Sequence, residues 1–273
     1  MQTVFVSGSF DDLRSRQVRF LNESARLGSV HVLLWSDSVV EVMTRKRPKF
    51  PQAERQYFLE SIRYVEKVSL VEDPANARGL PPAGLPSGCI WVVSEDMHNP
   101  QSQSIFTSQG FQYRVIPEAE MHIFPKAISG AQVPAVRRKK VLVTGCFDWL
   151  HTGHVRFFEE TSALGDLYVV IGNDANVRLL KGEGHPLLPE AERLYMVRSI
   201  RYVKEALVST GSGWMDAEPE IAKIQPDIYA VNEDGDKPEK HAFCQEHNLE
   251  YVVLRRKPKE GLPARTSTHL RGF

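Results

Sequence analysis

The stretch VLVTGCFDWLHTGHVRFF, residues 141–158, decides the fold. It opens on a short β-branched run, Val141 to Thr144, and stops at Gly145; from about His154 apolar residues return at helical spacing. Such a run reads as a buried parallel strand, the glycine as a tight turn, and the remainder as a helix beginning near His154. The mouth of that helix offers free backbone N–H groups to an anion. His151 and His154, three positions apart at the mouth, are placed to face one bound group. Imidazoles beside backbone amides suit a phosphoryl group in transfer, because they stabilise negative charge without themselves being nucleophiles.

The same frame occurs earlier in the chain. VFVSGSFDDLRSRQVRFL (4–21) aligns with residues 141–158 at an offset of 137, and PQAERQYFLESIRYVEKVSLV (51–71) aligns with PEAERLYMVRSIRYVKEALVS (189–209) at 138. VSEDMHNP (93–100) aligns with VNEDGDKP (231–238), again at 138. Three segments in one order at nearly constant offset mean two copies of one domain, with a period far too long for a solenoid. A chain of 273 residues accommodates two domains of roughly 100–150 residues each. The first copy is expected over 1–130, a linker over 131–138 and the second copy over 139–273. The join falls in KAISGAQVPAVRRKK (126–140), where small residues, a proline and a basic run replace apolar periodicity.

Within the second copy RFFEETSALG has helical spacing and ends at Gly165, LYVVIG (167–172) reads as the next strand, and PEAERLYMVRSIRYV (189–203) as a longer helix. DIYAVN (227–232) and EYVVLR (250–255) are further strands. Alternating strands and helices predict an α/β fold, two tandem Rossmann-like domains each with a doubly wound parallel sheet. Ligands of such sheets sit at the carboxyl ends of the strands.

Composition limits the partners. With 34 basic and 34 acidic residues the formal net charge is zero, so nothing draws the whole chain onto nucleic acid or an anionic membrane. Any anion site is local. Cys89, Cys146 and Cys244 are far apart with no CxxC pair, which fits reduced thiols in a cytoplasm and no zinc site. MQTVFVSGSF at the start lacks the charge and apolar run of a secretory signal, and no apolar stretch approaches the ~20 residues that a bilayer needs. The expectation is a soluble, cytoplasmic protein with no nucleic-acid partner and no membrane span, with a homodimer open to it.

GCFDWLHTGH resembles the HxGH signature of the nucleotidyltransferase superfamily, and its GxFDxxHxGH form resembles the cytidylyltransferases acting on glycerol phosphate, phosphocholine and phosphoethanolamine. LLKGEGHPLLPEAER (179–193) is similar to the family's lysine-glycine loop and the helix after it, with its Glu-Arg pair. RSIRYVKEALV (198–208) resembles a family segment ending in a strand, and RTSTHLR (265–271) resembles the C-terminal serine-threonine signature. Two copies in one chain are similar to the tandem phosphoethanolamine cytidylyltransferases. The resemblance implies attack by a substrate phosphate oxygen on the α-phosphorus of a nucleoside triphosphate, with pyrophosphate leaving and Mg2+ or another divalent cation assisting. It favours CTP. LKGEGHP also resembles the loop of adenylyltransferases that activate heptose phosphate, which leaves ATP and a sugar phosphate as the alternative. A non-catalytic nucleotide sensor is the third reading.

Carried over residue by residue, the resemblance makes His151, His154 and Lys181 catalytic. It assigns Gly145, Cys146, Phe147, Asp148, Gly153, Asp174, Arg265, Thr266, Ser267 and Thr268 to the nucleotide, with Asp148 also a candidate metal ligand. The family's phosphate-binding arginine stands further ahead of the serine-threonine pair, so Arg255 and Arg256 are alternatives to Arg265. Cys146 belongs to a plain motif variant, and the reaction needs no thiolate. Asn232, Asp234, Arg256 and Trp214 are expected near the acceptor, although NEDGDKPEK (232–240) also reads as an exposed acidic turn and Trp214 as a core residue. In the first copy Arg14 and Gln17 stand at the two histidine positions, Arg16 at the glycine, TRKRPKF (44–50) at the lysine loop, and only ISG remains of the hydroxyl signature. That copy is expected to fold without catalysing, as a structural partner or as a holder of an anion through Arg14, Arg16 and Arg19. PANARGLPPAGLPSG (74–88) reads as a surface loop.

Overall fold

The computed structural model of the chain describes residues 2–77, 80–82, 84–125 and 137–270, with the backbone alone at 268 and 269. They fall into two compact units, Met1–Phe124 and Pro125–Phe273. Of the linker expected over 131–138, only 137 and 138 lie among the described residues.

The first unit runs β1 (Thr3–Gly8), α1 (Ser15–Ala25), β2 (Ser29–Trp35), α2 (Asp37–Thr44), α3 (Gln52–Ser61), β3 (Val65–Val71), β4 (Ile90–Ser94), α4 (Pro100–Ser108) and β5 (Gln112–Ile116). The second runs β6 (Lys140–Gly145), α5 (Thr152–Leu164), β7 (Asp166–Ile171), α6 (Asp174–Lys181), α7 (Glu190–Arg198), β8 (Val203–Val208), α8 (Glu218–Ile224), β9 (Ile228–Asn232), α9 (Pro238–Glu246), β10 (Glu250–Leu254) and α10 (Ser267–Leu270). Each unit is an α/β domain around one five-stranded sheet, ordered β3-β2-β1-β4-β5 in the first and β10-β9-β6-β7-β8 in the second. All the strand pairs are parallel. The second order is the first read backwards, so the duplication extends to topology.

Local chemistry explains the elements. Val141, Leu142 and Val143 of β6 are all completely buried, as a central parallel strand covered on both faces requires. Val155 and Phe158 carry the buried face of α5. That helix ends at Gly165, where a Cβ would come within 2.1 Å of the Lys139 carbonyl oxygen, so only glycine lets the chain re-enter the sheet beside β6. Two expected boundaries move. α5 starts at Thr152 rather than near His154, because His151 itself caps it, its ring nitrogen accepting from the Gly153 N–H. α7 stops at Arg198 rather than running to 203: Ser199 bonds back to the Tyr195 carbonyl, and the Arg198 guanidinium donates to the Ala206 carbonyl of β8. The residues that follow, Ile200, Tyr202 and Val203, are β-branched or aromatic and lose less in extended backbone than in a helix.

A buried arginine ties each unit together. Arg193 of α7 is fully buried and donates from Nε to the Leu188 carbonyl at 2.9 Å, from Nη1 to the Cys146 carbonyl at 2.7 Å and from Nη2 to Asp174 at 2.6 Å. Arg55 of α3 makes the same three bonds one repeat earlier, to Phe50 at 3.0 Å, Ser9 at 2.6 Å and Asp37 at 2.7 Å. Removing the guanidinium strands two carbonyls and a carboxylate. Arg193→Met is therefore expected to lower the unfolding free energy of the second unit by about 3–5 kcal/mol, the cost of breaking a buried pair. The urea midpoint measures it, and a loss below about 1 kcal/mol would place this network outside the framework of the fold.

Candidate active site

The site lies where the order β10-β9-β6-β7-β8 changes direction, between β6 and β9. Strand connections leave this point towards opposite edges and open a crevice at the carboxyl ends. A cleft of about 190 Å³ fills it, with Gly145, His151, His154, Lys181, Asn232 and Arg256 around its wall. A second cavity of about 190 Å³ adjoins it, sharing Gly153, Phe157, Asn232 and Arg256, and reaches Arg255, Arg265 and Thr266.

The two histidines form a stacked pair, ring centroids 3.9 Å apart and planes 28° from parallel. His151 is buried and its Nδ1 accepts from the Gly153 N–H at 3.1 Å. Burial, reinforced by the positive charges of Arg256 and Arg265, pushes its pKa down to about 3. A neutral ring whose Nδ1 accepts carries its proton on Nε2, and that nitrogen is buried without a protein partner. Burial together with His151, Arg256 and Lys181 likewise holds His154 well below its ordinary value. Its Nδ1 is also buried and unpartnered. The cleft thus holds two neutral imidazoles with hydrogen-bonding capacity unspent, among cations that suit an anionic ligand.

Gly145 serves the site in a different way from the expected turn. The left-handed residue is Phe147, at φ 50°, and its ring folds back over Gly145, where a Cβ would sit 2.8 Å from the ring. The same ring meets His154 edge-on at 5.2 Å and Phe158 at 5.1 Å, so the strained turn sets the position of an imidazole. Asp148 is buried; its Oδ1 accepts from the Leu187 and Leu188 amides at 2.7 and 3.0 Å, and its Oδ2 lies 3.3 Å from His185 Nδ1. Its work is to pin the loop between α6 and α7. A carboxylate so committed is a poor metal ligand, and among the described residues no group of three His, Cys, Asp or Glu side chains could hold an ion. Cys146 gives its carbonyl to Arg193, and burial raises its thiol pKa, which disfavours the nucleophilic thiolate.

Of the remaining expected residues, Asn232, Asp234 and Ser267 line the first cleft and Arg265 and Thr266 the second. Ser267 Oγ lies 3.5 Å from the Trp149 carbonyl. The side chain of Thr268 lies outside the described residues. Arg256 is ion-paired with Asp234, and its backbone N–H donates to Glu233 at 3.2 Å. It reaches both cavities, where Arg255 and Arg265 reach one. Two expected residues stand away from the first cleft. Asp174 is held by Arg193 and does not line the first cleft. Trp214 is neither core nor wall of that cleft: it is 54% exposed and packs edge-on against Phe243. Lys240 is the addition. It lines the cleft, donates to the Gly235 carbonyl at 3.0 Å, and burial lowers its pKa.

The matching positions of the first unit are spent internally. Arg14 pairs with Asp12 at 2.9 Å, Arg16 with Glu118 and Asp96, and Arg19 with Glu23. None of the three is free for the anion expected there.

An all-parallel sheet with a cationic cleft at its switch point defines an α/β nucleotide-binding protein. Residues 142–262 match the family described as Cytidylyltransferase-like. The FAD synthase of Methanocella paludicola is 34% identical over 135 residues, 48% of this chain and 93% of that enzyme. The FAD synthase of Thermococcus kodakarensis is 41% identical over 101 residues, 36% of this chain and 66% of that enzyme. The bifunctional protein HldE of Citrifermentans bemidjiense is 48% identical over 66 residues, 23% of this chain and 14% of that protein. The crystal structure of the lipopolysaccharide core biosynthesis protein from Thermoplasma volcanium superposes at a TM-score of 0.39 with 24% identity, over 45% of this chain and 99% of that one. The chain belongs to the cytidylyltransferase-like family of nucleotidyltransferases. Among the described residues no helix is long and apolar enough to cross a membrane.

Depressed histidine pKa values carry a signed consequence for stability. Above pH 6.5 both folded and unfolded chains hold these rings neutral; below it the unfolded chain takes up protons that folded His151 refuses until about pH 3. Stability contributed by the neutral pair is complete above pH 6.5 and is lost as pH falls. Melting temperature should drop between pH 7 and 5, and the drop should be shallower in His151→Asn. An unchanged slope in that variant would mean that the folded ring titrates normally.

Proposed function

We propose that the second unit transfers the nucleoside monophosphate of a nucleoside triphosphate, ATP in preference to CTP, to a small phosphorylated acceptor. The acceptor's phosphate oxygen forms the new bond to the α-phosphorus, the bond from the α-phosphorus to its bridging oxygen breaks, and pyrophosphate leaves with the electron pair. The observation that carries the reading is the stacked pair of neutral histidines with unpartnered nitrogens in a cleft bordered by Lys181 and Arg256. In-line transfer of this kind needs positioning and charge neutralisation rather than a protein nucleophile.

On this reading His151 donates from Nε2 to an α-phosphate oxygen, and His154 sits beside it at the developing charge. Lys181, at the end of α6, follows the phosphates as a flexible point charge. Arg256 and Ser267 meet the β- and γ-phosphates, and Asn232 and Lys240 face the acceptor. Magnesium belongs to the substrate as its triphosphate complex, since Asp148 is committed to the loop amides. The motif resemblance favours CTP, but the relatives named FAD synthase favour ATP, because FAD is an adenylate joined to a flavin phosphate. Arg14 and Gln17 at the histidine positions make the first unit non-catalytic.

ATP with magnesium should raise the melting temperature more than CTP at equal concentration, as mass action on the folded state requires. Pyrophosphate release should follow the same order when FMN, a sugar phosphate and glycerol phosphate are offered as acceptors. A larger shift and faster release with CTP would restore the cytidylyl reading.

A second measurement separates catalysis from binding. The ground-state triphosphate keeps most of its contacts when one imidazole is lost, whereas the transition state loses a preorganised polar group beside the reacting phosphorus. His154→Ala should lower kcat by about 10²–10³ and change nucleotide affinity less than tenfold. Affinity lost without loss of turnover at saturation would make the segment a binding element only.

A further inference from the structure

We propose that the first unit binds a neutral, nucleoside-like aromatic molecule at the carboxyl ends of β1 and β4, in the place where the second unit has its phosphate-directed cleft. The inference uses the reading of the second cleft for comparison only; the cavity and its walls stand on their own.

The cavity sits at the switch point of the order β3-β2-β1-β4-β5 and has a volume of about 570 Å³, against about 190 Å³ in the second unit. That volume lies within the range of small-molecule sites. Position by position its lining repeats the other cleft: Ser7 to Asp11 stand for Thr144 to Asp148, Gln17 for His154, Phe20 for Phe157, and Ser94 and Asp96 for Asn232 and Asp234. In the second unit Arg256 and Ser267, from the segment beyond β10, line the cleft. In the first unit the described part of the segment beyond β5 supplies Glu118, which is bound to Arg16.

The charges oppose a phosphate. Arg16 is the one cation among the described lining residues, and both Glu118 and Asp96 hold it, at 2.5 and 3.0 Å. Arg14, at the first histidine position, is paired with Asp12. Asp11 accepts from the Lys49 and Phe50 amides at 2.8 and 3.0 Å and frames the loop as Asp148 does. Among the described lining residues a triphosphate finds no uncommitted positive side chain and meets the carboxylates of Asp11 and Asp96.

The walls favour a planar ring. Phe20, Trp35, Met43, Trp91, Met97 and Tyr113 line the space. The Trp35 indole is fixed by its N–H bond to Ser7 at 2.9 Å, and Trp91 stacks on Phe106 at 4.5 Å, so these rings are held in place before a ligand arrives. Aromatic faces and thioethers accept a heterocycle without regard to its edge. Gln17 supplies the polar end: its amide oxygen accepts from the Arg14 N–H at 3.1 Å, which fixes the side chain and leaves its NH2 for a ring carbonyl or a ribose hydroxyl.

Calorimetric titration of the full chain with adenosine, cytidine and riboflavin, and with AMP, ATP and FMN, tests this. It is run on the unaltered protein, on His154→Ala with Lys181→Ala to disable the second cleft, and on two variants that fill the first cavity from different walls, Met43→Trp and Ser102→Trp, each checked for native circular dichroism. At least one neutral probe should saturate a single site with equal affinity in the first two proteins. Both filling variants should weaken it at least tenfold, and its phosphorylated form should bind the second-cleft variant at least tenfold more weakly. The proposal is overturned if no neutral probe saturates at millimolar concentration, if binding vanishes with the histidine and lysine instead of the filling variants, or if the phosphorylated forms bind the second-cleft variant more tightly. Loss of pyrophosphate chemistry with neutral binding intact would count against the transferase reading alone.

Discussion

Everything in either unit hangs on a guanidinium sealed beneath the strand-end turn. Arg193 and Arg55 share three acceptors, the carbonyl of the turn after the first strand, the carbonyl just before their own helix, and the aspartate that opens the preceding helix, and Arg55 adds the Trp35 carbonyl at 2.9 Å. A planar fork with five donors can satisfy such a set and a lysine cannot. Once the turn is fixed from below, Phe147 is held in its left-handed conformation, its ring covers Gly145, and His154 rests against it. The cleft is therefore the upper side of a rigid polar core, which places its imidazoles more precisely than a surface loop could.

The electrostatics of the second cleft follow from the same construction. Burying two imidazoles among Lys181, Arg256 and Arg265 makes protonation costly, so the rings stay neutral rather than acting as extra cations. A positively charged pair would bind triphosphate in the ground state as firmly as in the transition state. On the proposed reading, neutral imidazoles beside the α-phosphorus, with the formal charges set further out, would concentrate the benefit where charge moves.

The fold and the central motif were legible because both are written in short-range pattern. A β-branched run, a glycine and two histidines lie within fourteen residues, Val141 to His154, and the duplication doubles the signal. What was not legible depends on contacts made after folding. Arg193 looks like one charge in a polar helix, since its partners stand 5, 19 and 47 positions away. Asp148 reads as a free motif carboxylate until the 187–188 amides close on it. Lys240 ends an acidic string, and composition hides that it is half-buried at the cleft. Trp214 shows the opposite failure: a large aromatic suggests an interior, but a tight turn leaves it mostly exposed.

The two copies diverge by a rule that local charge accounting makes plain. Backbone-shaping residues are kept in both: the aspartate that receives the loop amides, the buried arginine, the phenylalanine with positive φ, at 44° in one copy and 50° in the other. Residues that would meet a phosphate change, and each new charge is neutralised, Arg14 by Asp12 and Arg16 by Glu118 and by Asp96, the counterpart of Asp234. A merely abandoned site would be expected to fill or to carry unpaired charges, because an empty polar crevice has no stabilising role. Here the crevice stays open, larger, and walled by fixed aromatic rings. Cancelled charge and retained space together favour the proposed uncharged aromatic ligand over a triphosphate in this crevice.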